Sequence, residues 1–246
     1  MVMSENQTYP REWKGYCPVC EADVTFRAYG DWYRDQLLCL SCEGHSIPRE
    51  RSLMAVLSSE RPNWRNLAIH ESSPSPRAVS AKLARECRNY LASQLFSDVP
   101  LGDIKDGVHC QDLERQTFPD GCFDVVISQD VMEHVFDLTA AHREIWRTLM
   151  PGGLHIFTTP VAGNMYRSSK RAERDGSGIK HLFPPDYHGN PIDESGSLVT
   201  YIFGYDIVDT IADAAPFDVE LRRYNDVTRG ILGMFTDVII CRKRLP

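Results

Sequence analysis

Two cysteine pairs have the most specific spacing for chemistry in this 246-residue chain. Cys17-Pro18-Val19-Cys20 and Cys39-Leu40-Ser41-Cys42 are CxxC pairs with 18 residues between them, the spacing of a four-thiolate zinc site. Two residues between thiolates let both reach one metal from a tight turn. Two such knuckles facing each other give the closed, tetrahedral coordination of a structural zinc. A disulfide framework is the alternative, but the first residues, MVMSENQTYPREWKG, lack the apolar stretch of a secretory leader. Four thiolates leave no open position, which counts against a catalytic zinc. Cys87, Cys110, Cys122 and Cys241 are scattered and read as small core hydrophobes. A second grouping with chemical capacity is the adjacent pair Glu133-His134, an acid beside a base.

Glu133 and His134 lie inside the most structured stretch of the sequence, residues 118–160. Phe123 to Ser128 is β-branched and aromatic, as a sheet interior requires. From Phe136 to Leu149, Leu138, Ile145, Trp146 and Leu149 fall near helical spacing with charge between them. Pro151-Gly152-Gly153 is expected to end that helix as a turn, and Leu154 to Thr158 to form the next strand. Strand, helix, strand in about 40 residues is the crossover of a parallel sheet.

The same stretch resembles the second half of class I methyltransferases, which use S-adenosylmethionine (SAM), and in particular their type 11-like branch. The resemblance rests on Phe123-Asp124-Val125-Val126-Ile127, Val131-Met132-Glu133-His134-Val135 and Leu149-Met150-Pro151-Gly152-Gly153. It implies an α/β fold, a Rossmann-like methyltransferase sheet with helices on both faces, preceded here by a small zinc ribbon. The expected organisation is ribbon at 1–46, linker helix at 47–65 and methyltransferase-like domain at 66–246, with an insertion at about 161–200. Val24 to Ala28 and Gln36 to Leu38 are expected as ribbon strands. Asn66 to His70 is expected as the first strand of the core, and Phe217 to Leu221 and Phe235 to Cys241 as its last two. The segment from Asp226 to Gly233 reads as a loop over a sheet edge.

The resemblance also places a cofactor pocket. Most of the family follows the first core strand with a loop close to E/D-x-G-x-G, whose glycines let backbone approach the cofactor. Here the loop is Glu71-Ser72-Ser73-Pro74-Ser75-Pro76-Arg77, without glycine. It is similar to a branch whose first loop reads HxxPE or HExSP, some members of which are linked to glycan synthesis. Ser75 suits the cap of the next helix and Pro76 its first turn. The family implies that Glu71, with Ser72, orders the loop around the methionine part of the cofactor. It puts an acid at the ribose hydroxyls, where this chain has Ser93 or Gln94; Asp98, four residues beyond Gln94, could substitute but reads first as a solvated loop acid. It puts Asp112 at the adenine amino group with Leu113 over the ring, and Gln129 at the carboxyl end of the fourth strand. In the insertion, His181 to Asn190 is dense in aromatic, histidine and turn residues. An acceptor lid there would offer Tyr187, His188 and Asn190, with His188 the better base and His134 the second.

Composition narrows the partners. A net charge of −7 argues against a large phosphate-binding surface. Residues 11–51 carry six Lys/Arg against seven Asp/Glu, so the ribbon is no basic reader of nucleic acid. No apolar run approaches the length of a membrane span, and a cytoplasmic location is expected. The expected function is SAM-dependent methyl transfer to a small-molecule or glycan acceptor, with the ribbon offering a surface to a protein partner. The alternative is a non-catalytic, methyltransferase-like binding protein whose cofactor loop has degenerated.

Overall fold

The computed structural model describes residues 8–190 and 195–245. Residues 1–7, the 191–194 part of the insertion and Pro246 lie outside the described residues, and with them most of the leader reading. The four cysteines sit on a three-stranded antiparallel ribbon of β1 (Arg11–Cys17), β2 (Ala22–Ala28) and β3 (Leu37–Cys39). β1 is additional to the two strands expected from the sequence. Its Gly15 and Lys14 blur the alternation, and pairing with β2, Gly15 opposite Val24, supplies what local propensity does not. A one-turn helix, α1 (Tyr33–Gln36), joins β2 to β3.

The expected linker helix is α2 (Pro48–Glu60). Pro48 occupies its first turn and the Glu50 carboxylate accepts from the Ile47 N–H at 2.8 Å, satisfying a donor the helix itself cannot. Leu53, Met54, Val56 and Leu57 are fully buried, and so is Arg51. The Arg51 guanidinium donates to the carbonyls of Leu37 (2.9 Å), Gly230 (2.6 Å) and Ser46, and lies over the Phe26 ring. One buried cation thus ties ribbon, linker helix and C-terminal loop. Arg51→Ala leaves those carbonyls without their donor and should destabilise the fold by about 3 kcal/mol, read from urea unfolding.

The main sheet follows. Its strands are β4 (Ala68–Ser72), β5 (Asn89–Gln94), β6 (Ile104–Lys105), β7 (Val108–Cys110), β8 (Phe123–Gln129) and β9 (Leu149–Thr158). The insertion after β9 folds as three small two-stranded sheets built from β10 (Ser169–Lys170), β11 (Ala172–Asp175), β12 (Gly178–His181), β13 (Tyr187–His188), β14 (Ser197–Leu198) and β15 (Tyr201–Ile202). β16 (Phe217–Arg222) and β17 (Val238–Lys243) return to the main sheet, whose order is β16-β17-β9-β8-β4-β5-β7-β6. β7, β5, β4, β8 and β9 run parallel, and β17 and β16 close the edge antiparallel.

Both faces of the sheet are covered, as parallel strands require. Val125, Ile127 and Ile156 face one way, into a core shared with Phe26 and Leu37 of the ribbon, Leu53 and Leu57 of α2 and Leu83 of α3 (Ala78–Glu86). Val126 and Phe157 face the other, onto α4 (Leu138–Thr148) and α5 (Ile207–Ala214). The ribbon is therefore half of one covering layer.

Four local expectations need correction. Pro151-Gly152-Gly153 lies inside β9 rather than in a turn ahead of it. The chain is already extended at Leu149, consistent with the bias against helix before proline, and left-handed Gly152 (φ 74) sits where the pairing skips from Phe123↔Leu149 to Val125↔Leu154. Ser75 does not cap α3, which starts at Ala78 with Arg77 at its N-cap. Residues 64–66 form a 3-10 turn, so the first core strand begins at Ala68. The Asp226–Gly233 loop packs on the ribbon, not on a sheet edge: its Val227 carbonyl accepts from the Trp13 indole at 3.0 Å.

Candidate active site

A cleft of about 930 Å³ opens at the carboxyl ends of β4, β5, β7 and β8, where open α/β sheets bind ligands. β4 has β5 on one side and β8 on the other, so the chain leaves it in opposite directions and a crevice results. Its floor is Ser72, Ser73, Gln94, Gln111, Asp112 and Gln129. Trp32, Arg34, Arg49 and Phe235 form one wall, and His134, Phe136, Arg174, His188 and Leu198 line the other.

The loop after β4 keeps a glycine-like path without a glycine. Ser73 has φ 55, the left-handed conformation that glycine adopts without steric penalty. Counting from Glu71, it stands at the first glycine of the E-x-G-x-G pattern. Below it, Glu71 is fully buried. Its carboxylate accepts from Ser80 Oγ (2.7 Å), Gln129 Nε2 (2.9 Å) and the Tyr90 hydroxyl (2.8 Å). Burial raises the Glu71 pKa, against those three donors. Glu71 thus binds the loop, α3, β5 and β8 to one another and does not line the cleft.

Asp112 follows β7, half-buried on the floor, its Oδ1 accepting from the Glu114 N–H at 3.0 Å. That bond shapes the turn and leaves Oδ2 toward Arg115 at 3.9 Å. Leu113 is buried beside it. Ser93 points inward, with its hydroxyl 2.7 Å from His70 Nε2, while its neighbour Gln94 reaches the cleft. Asp98 pairs with Lys105 at 2.8 Å and is not among the lining residues.

A segment of the chain, residues 77–157, matches a family described as "Methyltransferase domain". That segment, about a third of the chain, is similar to a methyltransferase domain. Among curated proteins, the malonyl-[acyl-carrier protein] O-methyltransferase of Serratia marcescens is 37% identical over 54 residues, 22% of this chain and 21% of that protein. The match thus spans about a fifth of the relative's length. A SAM-dependent methyltransferase from Mesorhizobium loti has the same fold, with a TM-score of 0.50 at 16% identity over 78% of this chain and 97% of its own. A SAM-dependent methyltransferase structure from Methanosarcina mazei aligns with a TM-score of 0.45 at 15% identity, over 75% and 97%.

The fold gathers Ser72, Gln94, Asp112, Leu113, Gln129, His134 and His188 around one cleft, and holds Glu71 and Ser93 beneath it. What sequence reasoning missed is the contribution of the ribbon and linker. Arg34 of α1 and Arg49 of α2 meet Asp130 at 2.6 and 2.9 Å. Asp130 itself is left-handed (φ 52) and is held by the Thr158 hydroxyl at 3.1 Å. Its position directly after β8 was a readable signal. Arg34 had none, because only the docked ribbon brings it to the cleft.

At the ribbon, the four cysteines converge. Their sulfur atoms lie within 4.8 Å of one another, with pairs at 3.1, 3.5 and 3.6 Å. A tetrahedron of Zn–S bonds near 2.3 Å has edges of about 3.8 Å, while a disulfide needs about 2.05 Å. The cluster therefore fits one ion and not two bridges. Left-handed Gly44 (φ 67) turns the second knuckle where a Cβ would stand 2.4 Å from Arg77 Cβ. Ser46 Oγ, 3.0 Å from Cys42 Sγ, supports the thiolates.

Buried ionisable groups below the cleft set the pH response. Burial pushes His70 down to about 3 and His142 to about 4, and holds His155 well below its ordinary 6.5. Between those values and 6.5 the unfolded chain takes up protons the folded one refuses, so stability falls with falling pH. Glu71 and Glu133 oppose this. Burial raises both, Glu133 to about 8, so above 4.5 the folded state holds their protons and gains as pH falls. The melting temperature should decline gently from pH 6.5 to 4.5 and steeply below, where the histidines act unopposed; calorimetric scans across that range check it.

Proposed function

We propose that this protein transfers a methyl group from SAM to a small polar acceptor, a sugar or similar metabolite. The observation that carries the reading is Ser73. A left-handed serine at the first glycine position keeps the backbone path of a cofactor loop, which a degenerate pocket has no reason to retain. Asp112 would accept the adenine amino group with Leu113 against the ring, and Gln94 the ribose, since Ser93 is turned to His70. Ser72 and Gln129 would lie along the methionine part, and Glu71 would hold the loop from beneath.

When bound, SAM supplies an activated methyl group on a sulfonium leaving group. The protein's own task is to place the acceptor in line with it and exclude water. A cleft of about 930 Å³ has room for a cofactor and a small second ligand. Proton removal, for an acceptor that needs it, falls to His134 and His188 on the insertion side. Their rings are edge to face with centroids 5.5 Å apart, and burial lowers the His134 pKa, keeping it neutral and basic.

A structural zinc on Cys17, Cys20, Cys39 and Cys42 would hold the ribbon as a fixed wall of the cleft. Cys87, Cys110, Cys122 and Cys241, unbridged and outside the zinc cluster, suit a reducing compartment such as the cytoplasm, and no helix among the described residues is long and apolar enough to cross a membrane. The test is acceptor-dependent release of S-adenosylhomocysteine across a panel of sugars and small metabolites. Release above the SAM-only blank, reduced in Asp112→Ala at limiting SAM, is expected; no release with any acceptor would count against the reading.

A further inference from the structure

The insertion completes a second cluster, at the opposite wall from the ribbon. One ligand atom from each of Glu133, His134 and His188 lies within 4.8 Å of the others. Glu133 sits in the 3-10 turn after β8 and is only 2% exposed. Its Oε2 accepts from the Thr159 hydroxyl at 2.8 Å, but its Oε1 is buried with no hydrogen-bond partner. A buried carboxyl oxygen without a hydrogen-bond partner is costly, and a cation that displaced the proton would relieve it.

His134 is oriented for the same purpose. Its Nδ1 lies 2.9 Å from the Leu198 carbonyl oxygen. A carbonyl only accepts, so Nδ1 carries the ring proton and Nε2 is left bare. Metal-binding imidazoles have this arrangement, one nitrogen on the ion and the other donating to a carbonyl or carboxylate. His188 arrives from β13, which pairs with β14 through Tyr187↔Leu198 and His188↔Ser197. The hairpin that brings the third side chain thus also supplies the carbonyl that orients the second. Thr200 anchors its exit, donating from N–H and hydroxyl to the Glu133 carbonyl at 2.8 and 2.9 Å and from the hydroxyl to that of Val135 at 2.6 Å.

We propose that Glu133, His134 and His188 bind a divalent transition-metal ion at the acceptor end of the cleft. Two imidazoles and one carboxylate suit zinc, iron(II), cobalt(II) or manganese(II), and three protein ligands leave positions open. A hydroxyl or carboxylate oxygen of the acceptor is the ligand that would fill them, a step that rests on the methyl-transfer reading of the cleft. In that state His134 and His188 act as ligands, and polarising the acceptor oxygen falls to the ion.

The experiment is calorimetric titration of Zn²⁺ into protein already carrying one zinc per chain, with bound metal counted by plasma mass spectrometry. Wild type should take up a second equivalent. His188→Ala, at an exposed residue whose loss leaves the core intact, should weaken that event more than about tenfold while keeping the first equivalent. Glu133→Gln should act likewise, with its melting temperature read alongside. A single equivalent in wild type, or a second that His188→Ala does not weaken, overturns the proposal. SAM titrated into the same samples separates the two readings: SAM bound without a second metal defeats the metal site alone, and a second metal without SAM defeats methyl transfer alone.

Discussion

Stripping the zinc proposed for the four-cysteine cluster should unfold far more than the ribbon. Phe26, Leu37 and Cys39 share a core with Ile69, Val125 and Ile156 of the main sheet, so the ribbon is the cover of one sheet face. Apparent zinc-binding free energies in small structural sites reach about 10–16 kcal/mol, comparable to the whole stability of a domain. Losing even about 5 kcal/mol lowers the melting temperature of a chain this size by about 10–20 °C. Cys39→Ser, or chelation at neutral pH, should show that drop by scanning calorimetry as one transition. The same samples should lose SAM affinity, because Arg34 meets Asp130 at the cleft wall only while the ribbon is docked. A small early transition with the main one unchanged would mean that the ribbon is an independent appendage.

The second large effect is expected at Asp112. A charge-assisted hydrogen bond to an amino group contributes about 1.5–3 kcal/mol. Asp112→Ala should therefore weaken SAM binding about 10- to 100-fold. Its Oδ1 also accepts from the Glu114 N–H, so the alanine variant loosens the turn as well. Asp112→Asn separates the two roles. It keeps an acceptor for the turn but loses the charge, and should fall between wild type and alanine in affinity with an unchanged melting temperature. Equal affinity in all three would remove Asp112 from the pocket.

Much of the frame was legible because it is written locally. The β-branched run from Phe123 to Ile127 and the apolar spacing of Leu138, Ile145 and Leu149 each specify an element without reference to the rest of the chain. The two CxxC pairs work the same way, since the ligands bring their own turns. Positions set by distant parts of the chain were not legible. β1 needed its pairing with β2, and α3, expected to be capped by Ser75, begins only at Ala78 after a loop in which Ser73 is left-handed. Arg34 reaches the cleft through docking of the ribbon and Arg49 through packing of α2, which no local pattern encodes. Glu71 was readable as an acid at the right place. That its carboxylate faces Ser80, Tyr90 and Gln129 instead of the cleft depends on three other elements.

The most direct measurement of the cleft's purpose is calorimetric titration of SAM into the zinc-loaded, folded protein. One-to-one binding in the micromolar range, weakened in Asp112→Ala, is the expected result. Absence of binding, from protein whose melting transition shows it to be folded, would contradict a working cofactor pocket and leave the sheet as a scaffold for some other ligand.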